Sequence, residues 1–162
     1  MNAGLLIARL VFGLLMAAHG SQKLFGWFGG YGLEGTGGFF EKLGFRPGRF
    51  FAGAAGAAEV AGGLLLALGF LGPIGPALVV AVMIVAIVSV HLPNGVFAST
   101  NGIEVPLLFA AAAAALALTG PGQYSLDGLL GLPTVATPGL AWGAIVFGML
   151  GGGANLALRR PA

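Results

Sequence analysis

The distribution of apolar residues along the chain predicts five membrane-spanning helices. A span needs about 20 predominantly apolar residues, or about 17 at the short limit. Turns rich in glycine and proline separate several of the candidates, and residues 25–48 contain too much glycine and charge to cross a bilayer. Within them, residues 36–45 are predicted to lie as a short amphipathic turn at the headgroup level. The predicted spans are residues 3–24, 49–71, 77–91, 103–119 and 139–158.

The composition agrees with a membrane protein and excludes other classes. Hydrophobic residues make up 57% of the 162 residues and charged residues only 7%. A soluble domain carries roughly a quarter charged residues, and disordered chains are more polar still. The few lysines and arginines are scattered, so no nucleic-acid surface is predicted. We therefore expect an all-α integral membrane helical bundle in contact with lipid.

The basic residues predict how the bundle lies in the membrane. Lysine and arginine are enriched on the cytoplasmic side of membrane proteins. Four of them lie in or beside the first loop, and two close the C-terminus. They are Lys23, Lys42, Arg46 and Arg49, and Arg159 and Arg160. Five spans in total leave four between these two regions, and an even number of crossings places both regions on one side. The pattern thus predicts a multi-pass protein of the prokaryotic cytoplasmic (inner) membrane, with the first loop and the C-terminus cytoplasmic.

Small residues predict close helix packing in the second and fifth spans. Lipid offers little hydrophobic force between helices, so tight association depends on small side chains. The second span carries Gly56, Gly62 and Gly63 on the same face as Glu59. We expect that face to contact protein, with Glu59 buried. The fifth span carries small residues four apart, at positions that fit either helix crossings or homo-oligomer contacts; they are Gly139, Gly143, Gly148 and Gly152.

Polar residues within apolar spans are costly and are functional candidates by default. Arg9, His19 and Lys23 fall within a helical arc of roughly 80°, and the loop of residues 92–102 is predicted to open on the same side. We expect the candidates to converge on one half of the bundle. Apart from Arg9, the other half offers almost no polar groups. The converging candidates are Arg9, His19, Lys23, Glu59, His91, Asn94, Asn101 and Glu104.

Structural roles are open alternatives for most of these candidates. Arg9 and Glu59 could form an ion pair that only fixes packing. Asn101 and Glu104 have the spacing of a helix capping box, and Lys23 could be an interfacial anchor.

The candidate residues fit a quinone better than other cofactors. Histidine, lysine or asparagine can hydrogen-bond to quinone carbonyl oxygens, and a buried carboxylate can relay a proton. Two histidines without an attachment motif are a poor indication of haem. With no cysteine in the chain, Fe–S clusters and thiolate sites are excluded, and no metal site is predicted.

The order of several motifs resembles the DoxX family of small prokaryotic membrane proteins. The motifs are His19-Gly20-x-Gln22-Lys23-Leu24, the Gly32–Gly44 segment, Glu59-x-x-Gly62-Gly63, Val90-His91-Leu92-Pro93-Asn94-Gly95, Asn101-Gly102-x-Glu104 and Gly120-Pro121-Gly122-x-Tyr124-Ser125-Leu126-Asp127. The resemblance implies a four-helix core, here residues 1–127, followed by an extra segment, residues 128–162, with a fifth transmembrane helix. It also implies an association with thiosulfate:quinone oxidoreductase or with defence against oxidants.

Three functions follow as hypotheses. The leading one is a quinone-interacting membrane subunit of an oxidoreductase or oxidative-stress system. In it, His19, Lys23 and His91 contact the head group, while Glu59 and Arg9 form a buried charge relay. The second is a non-catalytic anchor or assembly subunit that recruits a soluble or membrane redox partner. The third, a small-solute transporter, is less favoured because the far half lacks polar groups.

Overall fold

The structure is a computed structural model that describes residues 2–132 and 137–160, and every regular element in them is helical. Seven α-helices follow one another along the chain. A π-helical turn, Ile87–His91, extends α4, and short 3-10 turns lie between α1 and α2 and between α4 and α5. The helices are α1 (Asn2–Phe25), α2 (Gly32–Lys42), α3 (Gly48–Leu68), α4 (Ile74–Ala86), α5 (Glu104–Thr119), α6 (Leu126–Leu129) and α7 (Pro138–Ala157).

Four of the described helices are long and apolar enough to cross a membrane. They are α1, α3, α4 with its extension to Asn94, and α7. The 16-residue α5 is also apolar, and at 1.5 Å per residue it spans about 24 Å, somewhat less than the bilayer core. The predicted membrane bundle is therefore confirmed, and the short fourth span predicted from the sequence corresponds to α5.

Glycines bring the backbones of α1 and α3 into contact where the two helices cross. A Cβ added at Gly20 would lie 2.5 Å from the carbonyl oxygen of Gly56, and one at Gly63 would lie 2.5 Å from that of Gly13. Such backbone contact leaves no room for a side chain at any of these positions. The predicted small face of α3 is thus a packing face.

Helix α4 lies at the centre of the bundle and packs against α3, α5 and α7. One buried apolar cluster joins Met16 of α1 to Val79 and Met83 of α4 and to Phe109 of α5. On its other side, α4 contacts Gly148 and Gly152 of α7, as the sequence predicts. The other predicted pair on α7, Gly139 and Gly143, has no neighbouring residue within 4 Å of an added Cβ.

The segment after α1 is more regular than predicted. An 11-residue helix, α2, replaces the short turn predicted at residues 36–45, and Thr36 and Gly37 are buried in it. Helix α2 can pack closely against α3 because residue 37 is glycine. A Cβ at Gly37 would lie only 2.9 Å from the side chain of Arg49 in α3. Before α2, the side chains of Trp27 and Phe28 are largely exposed, as expected for interfacial anchors.

The C-terminal end of α7 contacts the connection between α2 and α3. The backbone N–H of Arg160 donates to the carbonyl oxygen of Gly44 (2.9 Å), and Arg159 Nε donates to that of Leu43 (2.5 Å). At the opposite end, Asn2 pairs with Gln123 (2.9 Å). The first loop and the C-terminus thus lie at one end of the bundle, as the five-span arrangement requires.

Candidate functional site

Two cavities meet at the polar residues of the bundle. The larger, about 920 Å³, lies between α1, α2, α3, α4 and α7, and its walls are mostly apolar. The smaller, about 300 Å³, lies between α1, α4, α5 and the loop that contains Ala98 and Asn101. Residues common to both linings are His19, Lys23, Glu59, Ala86 and His91. The structure therefore brings four of the predicted site residues together in the region that the cavities share.

An ion pair between Lys23 and Glu59 is the central feature of this region. Lys23 Nζ lies 2.6 Å from Glu59 Oε1 and 2.5 Å from Oε2. The Glu59 side chain is only 2% exposed, as predicted, whereas that of Lys23 is 26% exposed. A buried carboxylate needs a neighbouring positive charge to compensate for the water that it has lost. Lys23 provides this charge, and its partly exposed ammonium group also faces the cavities.

His19 lies on the same face of α1 as Lys23, and its neighbours determine its tautomer. Gln22 Nε2 donates to the carbonyl oxygen of Phe28 (3.1 Å), so Gln22 Oε1 faces His19 Nδ1 at 3.2 Å. An amide oxygen only accepts hydrogen bonds, so in the neutral imidazole Nδ1 carries the hydrogen and Nε2 keeps its lone pair. The imidazole ring also packs edge-to-face against Phe109, with centroids 5.8 Å apart.

His91 has the same hydrogen-bonding pattern, produced by a different element. It ends the π-helical turn that extends α4, and π-helical turns are frequent at functional sites. Its Nδ1 lies 2.8 Å from the carbonyl oxygen of Asn101, which can only accept. Nδ1 therefore donates, and Nε2 is again the basic atom. Both histidines can accept a proton at Nε2.

Further polar residues line the larger cavity and were missed from the sequence, among them Thr36 and Asn155. Thr36 of α2 is 8% exposed, and Asn155 of α7 is half-buried. Thr36 lies in the Gly32–Gly44 segment, but a single threonine in a glycine-rich segment does not by itself indicate a binding site. Asn155 is a polar residue within an apolar span, which is the signal that could have identified it.

Arg9 lies away from this site, so the predicted Arg9–Glu59 relay is wrong. Its side chain is 1% exposed and donates from Nη2 to the carbonyl oxygen of Tyr124. Glu59 pairs with Lys23 instead, and Lys23 follows Arg9 by fourteen residues, about 21 Å along a helix. Arg9 and Lys23 lie on the same face of α1 but at different depths in the bundle, and Lys23 is the one that contacts Glu59.

Near Arg9, the far half of the bundle contains more buried polar groups than predicted. Asp127 is 4% exposed and accepts hydrogen bonds from the backbone N–H groups of Leu71 (3.0 Å) and Gly72 (2.8 Å). Ser125 is 6% exposed, and its hydroxyl accepts a hydrogen bond from Gly128 N (3.0 Å), which caps α6. These groups join the two loops at that end, and neither cavity described above reaches them.

The remaining candidates organise the loop of residues 92–102. Asn94 Nδ2 donates to the carbonyl oxygen of Val90 (2.9 Å), and Asn94 lines neither cavity. Asn101 lines the smaller cavity and holds His91 through its carbonyl oxygen. The predicted capping box is not formed, because Glu104 Oε2 accepts from the backbone N–H of Ala98 (2.7 Å). Glu104 thus stabilises the loop rather than the start of α5.

Among the described residues, no group of three or more histidines, cysteines, aspartates and glutamates could hold a metal ion. His19 and His91 are the only imidazoles in the chain. The polar lining of the two cavities therefore consists of the Lys23–Glu59 ion pair, the two histidines, Lys42 and neutral polar side chains.

The fold and the site together define a helical membrane protein with an internal, partly polar cavity. A family model described as DoxX matches residues 4–92, more than half of the chain. The protein therefore belongs to the DoxX family, as the sequence motifs predicted. Comparisons with curated proteins and with solved structures found no match. The matched region carries His19, Lys23, Glu59 and His91, whereas α5, α6 and α7 follow it.

Proposed function

We propose that this DoxX protein is a quinone-interacting membrane subunit of an oxidoreductase or oxidative-stress system, with the quinone bound in the larger cavity. The observation that carries the proposal is the placement of a buried ion pair and two histidines at the wall of a mostly apolar cavity. Apolar walls suit the ring and tail of a quinone, and the polar region suits its carbonyl oxygens. The volume of about 920 Å³ lies at the upper end of the range typical for small-molecule sites.

The polar residues divide into groups suited to the oxidised and the reduced ligand. A quinone carbonyl oxygen only accepts hydrogen bonds, and the ammonium group of Lys23 is the charged donor in the region that the two cavities share. A quinol hydroxyl donates, and the Nε2 atoms of His19 and His91 accept. Reduction of a quinone consumes two electrons and two protons, so a site that serves both forms needs both kinds of group.

Proton transfer is the role we assign to Glu59 and the smaller cavity. Glu59 borders both cavities and is hydrogen-bonded to Lys23. The smaller cavity extends to Asn101 in the loop, beside His91. A proton can therefore enter from the loop, pass to His91 or the Lys23–Glu59 pair, and reach a ligand in the larger cavity.

We assign the supply of electrons to a partner protein. The chain has no cysteine, and no metal-binding cluster lies within residues 2–132 and 137–160. In this proposal the protein binds the quinone and handles its protons, while a soluble or membrane-bound redox partner supplies two electrons.

Binding to lipid nanodiscs is the first test. Nanodiscs containing the protein should bind ubiquinone-1 saturably, above the level taken up by empty nanodiscs. The variant Lys23→Met should bind about tenfold more weakly, because it loses a charged hydrogen-bond donor. Equal uptake by empty and protein-containing nanodiscs would contradict the proposal.

The second test addresses the proton relay in membranes that contain the redox partner. Glu59→Gln keeps the shape of the side chain and removes its acidity, so quinone-dependent electron transfer should fall about a hundredfold. Glu34→Gln is the matched control, since Glu34 forms an exposed ion pair with Arg49 (3.2 Å). Unchanged activity in Glu59→Gln would rule out the relay.

A second candidate function is a non-catalytic anchor or assembly subunit. It is favoured by Gly139 and Gly143 of α7, because a Cβ added at either position would meet no other described element within 4 Å. Co-purification of a redox partner, together with full activity of His19 and His91 variants, would support this alternative over the first.

A further inference from the structure

Helix α7 forms part of the larger cavity although it follows the region that the DoxX family model matches. Gly151, Gly152 and Asn155 of α7 line the cavity together with residues of α1 to α4. The matched region ends at residue 92. The cavity is therefore completed by a helix that the family match does not include.

The position of α7 against the cavity is fixed by close contacts. Cβ atoms added at Gly148 and Gly152 would lie 2.5 and 2.7 Å from the carbonyl oxygens of Ala77 and Ala81 on α4. Beyond the last turn, Arg159 and Arg160 donate to carbonyl oxygens of the connection between α2 and α3. Asn155 lies between these two sets of contacts, which together hold its backbone against the cavity.

Asn155 offers hydrogen-bonding capacity that the protein itself does not use. Its side chain is half-buried at the cavity wall, and its amide forms no hydrogen bond with another residue within 2–132 and 137–160. An asparagine amide can donate two hydrogen bonds and accept two. Leaving that capacity unused in a partly buried site is costly unless a ligand or water satisfies it.

The chemistry of a para-quinone requires such a group. Its two carbonyl oxygens point in opposite directions from the ring, so one polar cluster can serve only one of them. Lys23, His19 and His91 all belong to α1 and to the extension of α4. Asn155 belongs to α7, and this separate wall of the same cavity provides a second donor.

We propose that Asn155 donates a hydrogen bond to the second carbonyl oxygen of a para-quinone in the larger cavity. This rests on the proposed quinone function and adds to it. It makes α7 part of the ligand site and a determinant of which head groups bind tightly.

The test compares two planar ligands that differ by one carbonyl group. Menadione has two, and in 3-methylchromone a ring oxygen replaces one of them. The protein in lipid nanodiscs should prefer menadione about fivefold, the value of a single hydrogen bond. Because the chain contains no cysteine, thiol alkylation by menadione does not complicate the measurement.

Asn155→Leu has nearly the same size and should bind the two ligands equally. Asn155→Ala should behave in the same way and serves if the leucine variant is poorly folded. Asn2→Leu is the matched control, since Asn2 pairs with Gln123 at the other end of the bundle, and it should keep the fivefold preference.

The outcomes separate this inference from the proposed function. A preference that survives in both Asn155 variants, or that is missing from the wild type although both ligands bind saturably, would overturn the role of Asn155 alone. If the wild type binds neither ligand above empty nanodiscs, the proposed quinone function itself fails.

Discussion

The side chains of Lys23 and Glu59 depend on each other because their ion pair lies inside the bundle. Removing one partner of a buried pair leaves the other charge uncompensated, which costs about 3–5 kcal/mol, whereas replacing both by apolar residues is often neutral. We expect Lys23→Met to lower the stability by this amount, and Lys23→Met/Glu59→Met to restore most of it. Thermal unfolding in detergent measures both.

The exposed Glu34–Arg49 pair provides the control for this prediction. Its side chains are 80% and 66% exposed, and surface ion pairs contribute at most about 1 kcal/mol. The same single and double methionine substitutions there should change the unfolding temperature only slightly. An equal loss of stability in the Lys23 and Arg49 variants would contradict the prediction that burial makes the Lys23–Glu59 pair important for stability.

Thr36 tests whether polar residues outside the ion pair contact the ligand. Thr36→Val removes a hydroxyl group without changing the shape of the side chain. If that hydroxyl binds the quinone, affinity for ubiquinone-1 in nanodiscs should fall about fivefold. Thr119→Val is the control, because that hydroxyl bonds to the carbonyl oxygen of Ala115 in its own helix (3.0 Å). Equal affinity of the two variants would exclude a role for Thr36.

Arg9 contacts the Tyr124 carbonyl rather than Glu59, so its role is expected to be structural. Arg9→Met should lower the thermal stability, because it removes the hydrogen bond that joins α1 to the loop before α6. It should leave ubiquinone-1 affinity within about twofold of the wild type, in contrast to Lys23→Met. A folded Arg9→Met protein that binds ubiquinone-1 as weakly as Lys23→Met would contradict this assignment.

At the scale of single residues, the sequence identified which polar residues are unusual for a membrane span but not which of them contact one another. Arg9 and Glu59 stood out because charge is rare in apolar spans. Their partners depend on the depth at which α1 and α3 cross, which is set by the contact between Gly20 and Gly56. No one-dimensional pattern contains that crossing depth, so the Lys23–Glu59 pair emerged only from the structure.

At the scale of elements, the α1–α3 crossing has no room for added volume. Gly63→Ala would force a methyl group against the backbone of α1, and overpacking of this kind costs about 1–3 kcal/mol. Gly143→Ala on α7 meets no neighbouring residue within 4 Å. It should be neutral or stabilise the helix by up to about 1 kcal/mol. Thermal unfolding of the two variants checks this contrast, which would be refuted if both lost the same stability.

Apolar periodicity predicted the long helices well and the irregular turns poorly. The boundaries of α1, α3 and α7 lie within a few residues of the predicted spans. The π-helical turn at Ile87–His91 follows from hydrogen bonding that apolar residues do not encode. This turn places His91 at the cavities, so a candidate site residue is positioned by an element that local sequence patterns do not predict.

At the scale of the whole molecule, α7 places the basic residues at the C-terminal end of the chain beside those of the first loop. Arg159 and Arg160 contact the connection that follows Lys42, so the predicted juxtaposition of these regions is confirmed. Which side of the membrane they occupy stays a prediction from the distribution of lysine and arginine. The only basic residue near the other end is the buried Arg9.

The absence of cysteine makes this orientation directly measurable, because any introduced thiol is the only one in the chain. Lys42→Cys and Arg160→Cys mark one end of the bundle, and Gln123→Cys marks the other. A membrane-impermeant maleimide should label Gln123→Cys in intact spheroplasts. It should label the other two only in inverted vesicles, because basic ends remain cytoplasmic during insertion. Labelling of Arg160→Cys and Gln123→Cys from the same side would contradict the five-span arrangement, and the reverse pattern would contradict the cytoplasmic assignment.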